Sequence, residues 1–347
     1  MRRWLSAYHT NREASQLIGL ILLAAGLYVA AGVGMAYVAG FSAIEHRIAT
    51  AHWWWLAPSF AAVLLAFCGY LLAYRGIAGA EGGPEIERTS LLAVVTAGFG
   101  GFLAHGGTAL DKFAMRSGGA KKREAQVRVS ALAGFEHGVL AIIVCPAAIA
   151  AVALGVLVPK PDFTWPWAVI PPVGFGAAVW AAECYRERLH GRTGWRGHLG
   201  VFLDAVHVVW VNLRKPHKHG LSALGMAIYW GGDMFALWAA AAAFGFQMSA
   251  LSVIVVLGTG MIFTRRTGPL GGAGIMLVAL VATLRYGVAA PLAAATLGVA
   301  AYRFLTLWVP LPAALAALPK LRALGRQGED SSGRGTKMDQ GEPALQH

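Results

Sequence analysis

Long apolar stretches alternate with short polar segments along most of the chain. The unbroken ones reach the roughly 20 residues that a helix needs to cross about 30 Å of hydrocarbon. They cover residues 16–40, 53–74, 130–158, 165–184, 221–244 and 291–311. Together with the interrupted stretches described next, they predict an all-α polytopic membrane protein with about 6–8 transmembrane helices.

Two further apolar regions, 89–110 and 251–286, are interrupted by breaks. Glycines and a histidine break the first, and adjacent Arg265 and Arg266 followed by the Gly/Pro-rich run 268–274 break the second. Irregular backbone at membrane depth is tolerated only where it is buried in protein or lines a polar cavity. Each region is therefore predicted to be a re-entrant hairpin or a pair of tight spans.

The distribution of lysine and arginine predicts the orientation of the spans. Most of the 29 basic residues lie within 1–15, 75–89, 112–128, 185–219 and the segment after 319, whereas the opposite loops carry Arg47 and Lys160. By the positive-inside rule, both termini are predicted to be cytoplasmic, in a cell (inner or plasma) membrane. The two broken regions then open from opposite sides, as expected of an inverted repeat around a central site.

This orientation divides the chain into three predicted segments. Residues 1–15 form a basic cytoplasmic leader, 16–322 an integral membrane domain, and 323–347 a polar, disordered cytoplasmic tail. The first apolar run is too long for a signal peptide and lacks a convincing cleavage site, so we expect it to stay as the first span.

Composition agrees with a membrane protein and narrows its partners. The chain is 57% hydrophobic and 13% charged. Its net charge of +12 does not predict nucleic-acid binding, because the basic residues lie in the loops between spans. Three scattered cysteines form no CxxC pair, so neither a disulfide framework nor a zinc site is predicted, and no cofactor is expected. A homo-oligomer stays open.

Two segments resemble signatures of a known family. The first runs from Ala97 through Gly106-Gly107-Thr108-Ala109-Leu110-Asp111 to Arg116, with Glu136 further along the chain. The second is Gly268-Pro269-Leu270-Gly271-Gly272-Ala273-Gly274, followed by Tyr302-Arg303-Phe304-Leu305-Thr306-Leu307-Trp308-Val309-Pro310. They resemble the lysylphosphatidylglycerol synthase transmembrane region family, the flippase-like integral membrane proteins, over roughly residues 10–320.

The resemblance implies inverted repeats, re-entrant helices and the movement of a lipid between leaflets. It does not imply lysyl transfer, because the synthase half of such proteins is a separate soluble domain, and we expect no enzyme activity. Two positions depart from the family pattern. Met276 stands where the family usually has a glutamate, and His105 begins a turn that usually reads Pro-Gly-Arg. These departures predict a different head group or a loss of activity.

Charged residues within the apolar regions are the candidate substrate-binding residues. Arg265 and Arg266 suit bidentate phosphate binding, and the glycines at 268, 271, 272 and 274 would let backbone N–H groups approach an anion. The alternatives are arginines that reach the membrane boundary and glycines that serve close helix packing.

For the other charged residues in apolar stretches, too, a functional role and a structural role are both open. Arg303, beside Tyr302, is predicted to form a structural or gating ion pair with Asp233 or Glu136 rather than to act directly on substrate. Asp111 and Glu136 are candidates for a proton relay or for binding a cationic head group. Salt bridges near the membrane interface are an equally favoured alternative for Asp111 and Glu136.

The sequence thus predicts translocation of an anionic or phosphate-bearing lipid, a phospholipid or a polyprenyl-linked glycolipid. The head group would sit between the broken helices and the tails in the bilayer. The alternative is a non-transporting scaffold or accessory subunit of a lipid- or envelope-modifying system. An intramembrane enzyme using Asp111 and Glu136 is the less favoured third hypothesis.

Overall fold

The computed structural model describes residues 2–99, 106–155, 162, 164–214, 216–261 and 274–324. It is about 88% helical, and the described residues form no strand. In chain order the α-helices are α1 Arg2–Ala39, α2 Phe41–Ala49, α3 Leu56–Ala78, α4 Arg88–Phe99, α5 Gly106–Ser117, α6 Lys122–Ala153, α7 Trp165–Leu189, α8 Gly194–Arg214, α9 Pro216–Ala243, α10 Ala250–Gly260, α11 Met276–Gly287, α12 Leu292–Arg303 and α13 Leu311–Ala316. Short 3₁₀ turns cover Trp53–Trp55 and Ala80–Gly82.

Several helices are long and apolar enough to cross a bilayer, which makes the chain a membrane protein. Among the described residues, five segments meet both requirements: Ile18–Ala39, Trp53–Ala78, Lys122–Ala153, Trp165–Leu189 and Leu292–Ala316. Each coincides with a predicted span. The sixth predicted span, 221–244, falls on α9, a 28-residue helix.

Helices α3 and α9 pack against each other in antiparallel fashion along most of their length. Near one end, the Ser59 hydroxyl donates to the Ala236 carbonyl over 2.8 Å. Further along, a Cβ placed on Gly69 would lie 2.6 Å from the carbonyl oxygen of Gly225. At the other end, Gly76 lies against Ser222. Small residues therefore bring the two backbones together, as in many membrane helix pairs.

The first broken region is a pair of short helices. The described parts of helices α4 and α5 have 12 residues each, or about 18 Å, less than the roughly 30 Å of the hydrocarbon. Residues 100–105 between them lie outside the described residues. Gly118, just after α5, lies beside the residues that precede α4, since an added Cβ there would be 3.0 Å from the Glu85 carbonyl oxygen. The chain therefore enters and leaves this element at one place.

The second broken region is built in a similar way. Helices α10 and α11, of 11 and 12 residues, flank the segment 262–273, which lies outside the described residues. They pack together, with Gly260 of α10 directly against the Leu280 side chain of α11. Within the described residues, each broken region thus contains two short helices that pack together, and their re-entrant course and the inverted repeat stay predictions.

The final helix is long and irregular. Helix α12 continues into a five-residue π-helical segment, Phe304–Trp308, before α13 begins. Helical residues continue from 318 to 324, where Leu321 and Leu324 are buried in the core. The described helical residues therefore extend to 324, and the predicted boundary at 322 stays a prediction. The predicted disordered tail lies, from residue 325, outside the described residues.

Candidate functional site

Most of the predicted phosphate site falls outside the described residues. This is the case for Arg265, Arg266, Gly268, Gly271 and Gly272, and also for His105. Gly274 is described, and it lies against α1, where an added Cβ would be 3.6 Å from the Cβ of Leu27. Met276 is fully buried. The anion-binding role of this segment stays a prediction.

The motif of the final helix forms a buried turn. Tyr302 and Arg303 end α12 and are 0% and 2% exposed. Arg303 Nη1 donates to the Thr306 hydroxyl over 3.3 Å, and that hydroxyl donates to the Tyr302 carbonyl over 3.0 Å. This motif coincides with the π-helical segment, a geometry that is rare in helices and frequent at functional sites.

Glu136 lies inside the protein, within a wall of aromatic rings. It is 5% exposed. The Tyr70 hydroxyl donates to its carboxylate over 3.4 Å, and the Trp230 indole donates to its backbone carbonyl over 2.8 Å. The rings of Tyr70, Phe99 and Tyr229 meet edge to face beside it. Glu136 is therefore buried within the protein, and the choice between a substrate role and an interfacial salt bridge stays a prediction.

The other acidic candidates occupy different surroundings. Asp111 is half-buried on α5, a helix that packs against α6, which carries Glu136. Asp233 is 1% exposed on α9, and α9 packs against α12 where Gly298 meets Ala241. The structure thus buries Asp233 and Arg303 on neighbouring helices. The predicted ion pair of Arg303 with Asp233 or Glu136 stays a prediction.

A groove that the sequence did not predict opens between α3, α4 and the final helix. Its volume is about 940 Å³, near the upper end for small-molecule sites. Its walls are almost entirely apolar and include Phe60, Leu64 and Phe67 of α3, Leu92, Ala93, Thr96 and Phe99 of α4, and Leu305, Val309 and Ala313 of the final helix. The π-helical segment borders this groove through Leu305, and the aromatic rings beside Glu136 border it through Phe99.

Polar groups lie at one end of the groove, which we call the mouth: Glu87, Thr89 and Lys320. Lys320 Nζ lies 3.0 Å from Glu87 Oε2. The hydroxyls of Thr89 and Ser90 donate to the same carboxylate over 2.5 and 3.1 Å. The hydrogen bond from Thr89, followed by those from Lys320 and Ser90, lowers the pKa of Glu87 from 4.5 to about 2. The mouth therefore holds an ionised carboxylate paired with the amino group of Lys320.

The sequence around Glu87 contains a recognisable pattern, whereas the sequence around Lys320 does not. Glu87 followed by Thr89 and Ser90 is typical of a helix start, because acids and hydroxyls favour that position. Lys320 lies 233 residues further along the chain, and nothing in its neighbourhood predicts this partner. Among the described residues, no group of three or more His, Cys, Asp or Glu side chains could hold a metal ion.

Comparison with known proteins adds no relative. No family model matches the chain, and no curated protein matches it. The fold and the groove define a helical membrane protein with an apolar groove that has a charged mouth. The resemblance to the flippase-like family therefore rests on the motifs in the sequence.

Proposed function

We propose that the chain moves a phosphate-bearing lipid, a phospholipid or a polyprenyl-linked glycolipid, between the leaflets of its membrane. The observation that carries this proposal is the groove between α3, α4 and the final helix. It combines apolar walls with a charged mouth, as an amphiphile with a polar head and apolar tails requires. Its side chains Leu64 and Leu92 are 50% and 48% exposed, so that lipid tails could enter from the surrounding bilayer.

The broken helices supply the second part of the proposed path. Unsatisfied polar groups are expensive in hydrocarbon, so a head group crosses more easily along groups that bind it. We propose that α4 with α5 and α10 with α11 are re-entrant elements of an inverted repeat. The head group would pass between them, with Arg265 and Arg266 binding its phosphate. Glu136 and Asp111 would then contribute charges on the side of α5 and α6.

Reconstitution in vesicles tests this proposal. Labelled phospholipid is placed in both leaflets of the vesicles, and a reagent that cannot cross the membrane is added outside. The rate at which inner-leaflet label reaches the outer leaflet and is destroyed is measured with and without protein. The wild type is expected to exchange lipid well above the protein-free rate. Ala313→Trp should slow this exchange at least tenfold by filling the groove, since Ala313 is exposed on its wall. Ala177→Trp is the matched control on lipid-exposed α7.

The same assay tests the predicted phosphate site. The double variant Arg265→Glu, Arg266→Glu should bind no phosphate and should lose exchange if it folds normally. Wild-type exchange by a folded double variant would remove these arginines from the path. No exchange by the wild type would contradict the proposed function itself.

A second candidate, a scaffold for a lipid- or envelope-modifying enzyme, has one observation in its favour. Helices α1 and α7 bury little of their surface, with 6% and 11% of their most apolar windows buried. Such faces suit a second membrane protein as well as lipid. Recovery of a stoichiometric enzyme partner after gentle purification, together with no lipid exchange, would favour this candidate.

A further inference from the structure

The mouth carries opposite charges that touch each other at the border of an apolar groove. Glu87 and Lys320 are side by side, with side chains 62% and 41% exposed. Exposed ion pairs contribute little to stability, because water screens them and two long side chains lose freedom. This pair is therefore a weak structural element and is easily exchanged for other charged partners.

The surroundings of the Glu87 carboxylate suit the binding of an ammonium group from a bound molecule. The Glu87 carboxylate accepts hydrogen bonds from the ammonium of Lys320 and from the hydroxyls of Thr89 and Ser90. A second primary ammonium could take the position that Lys320 Nζ occupies. Lys320 would then be free to bind a phosphate as a compact, mobile positive charge.

We propose that the groove selects a phospholipid whose head group carries both a phosphate and a primary ammonium, as in a phosphoethanolamine lipid. The ammonium replaces Lys320 on Glu87, and the phosphate binds the released Lys320. The acyl chains lie between Leu64, Leu92 and Leu305. Two ion pairs between protein and lipid then replace the single pair between Glu87 and Lys320, whereas a head group with phosphate alone would leave Glu87 opposite a second negative charge.

This inference rests on the proposed function for its occupant, a membrane lipid, and it names the head group. The choice of lipid over a partner helix follows from the charges. A helix that filled the apolar groove would need its own acid and base at the mouth, whereas a zwitterionic phospholipid carries both charges at the polar end of its tails.

Lipid selection tests the proposal in nanodiscs that contain equal amounts of phosphoethanolamine, phosphocholine and phosphoglycerol lipids with identical chains. Lipids that stay bound after gentle detergent extraction are quantified by mass spectrometry. The wild type should enrich the phosphoethanolamine lipid at least threefold over both others. The trimethylated ammonium of phosphocholine cannot donate the hydrogen bonds that the Glu87 carboxylate accepts.

Single variants separate the two charges. Glu87→Gln should abolish the preference over the phosphoglycerol lipid, and Lys320→Gln should lower retention of all three phospholipids. Glu85→Gln and Arg322→Gln are matched controls, because both residues are exposed and neither borders the groove. Equal retention of the three lipids by the wild type, or an unchanged preference in Glu87→Gln, would overturn the proposal.

The outcome is independent of the exchange assay. Selective retention without exchange would leave the head-group assignment standing and contradict translocation. Exchange without selective retention would do the opposite. A wild type that retains a copurified helix and no lipid would overturn the choice of occupant.

Discussion

The two faces of α3 use different residues for different purposes. Toward α9 the face consists of small residues, and Gly69 is so close that an added Cβ would lie 2.6 Å from backbone atoms of Gly225 and Tyr229. On the groove side the face carries large apolar residues, and Phe60 and Leu64 remain 37% and 50% exposed. One helix therefore joins a sealed interface to an open groove.

The difference follows from the solvent. Lipid tails are as apolar as leucine, so large apolar residues gain little by leaving lipid for another helix. Small residues allow close backbone contact and therefore dispersion and hydrogen bonding between helices. A face of bulky residues beside a face of small ones thus marks where a membrane helix is open to lipid and where it is closed by protein.

The largest loss of stability is expected from a substitution in the close interface between α3 and α9. Gly69→Leu places a side chain against the backbone of Gly225, which cannot move aside without separating α3 from α9. We expect a loss of about 3 kcal/mol or more, or no folded protein. Thermal unfolding in detergent, followed by size-exclusion chromatography, measures it. Gly26→Leu on α1 is the control, since no other atom lies within 4 Å of its added Cβ.

A smaller loss of stability is expected around Tyr70, which lies between the α9 side and the groove side of α3. Tyr70 contacts Tyr229 of α9, Phe99 of α4 and the carboxylate of Glu136. Glu136→Leu removes that acceptor within the protein and should cost about 1–3 kcal/mol of stability. Glu136→Gln retains an acceptor oxygen and should cost less. Equal melting temperatures for the two variants would show that the hydrogen bond contributes nothing.

The hydrogen bond between Ser59 of α3 and Ala236 of α9 should contribute less to stability. Ser59→Ala removes a single donor to the Ala236 carbonyl, and such bonds in membrane proteins average about 0.6 kcal/mol. Cys68→Ala, on the exposed side of the same helix, should change unfolding still less. A Cys68 variant that is the more damaging of the two would reverse the assignment of the faces.

The smallest effect concerns the mouth and depends on pH. Because folding lowers the pKa of Glu87 from 4.5 to about 2, its contribution is fully present above pH 4.5. It is lost as the pH falls toward 2, where the carboxylate takes up a proton in the folded protein too. The melting temperature of the wild type should therefore approach that of Glu87→Gln between pH 4.5 and 2. A constant difference over this range would contradict the hydrogen bonding described for Glu87.

The sequence predicted the spanning helices because the length of an apolar run is a local property. The five apolar spanning segments and both pairs of short helices lie where runs and breaks placed them. The small residues of α3 are also visible in the sequence, for example Ala62, Ala66 and Gly69. Their partner helix is not, because close packing depends on which helices the fold brings together.

The groove could not be predicted for the same reason. Its walls come from three helices, its mouth joins Glu87 to Lys320 across 233 positions, and one wall depends on a π-helical segment. No periodicity in a single sequence specifies these features. The buried position of Glu136 was similarly ambiguous, because its neighbours Tyr70 and Trp230 come from other helices.

The most direct test of the account maps where a lipid chain rests on the protein. A phospholipid with a photoreactive group near the end of one acyl chain is incorporated into nanodiscs, activated, and its adducts are located by mass spectrometry. The account predicts adducts concentrated on the groove walls, such as Phe67, Leu92 and Leu305, and their loss in Ala313→Trp. Adducts spread over the exposed faces of α1 and α7, unchanged in that variant, would contradict a lipid path through the groove.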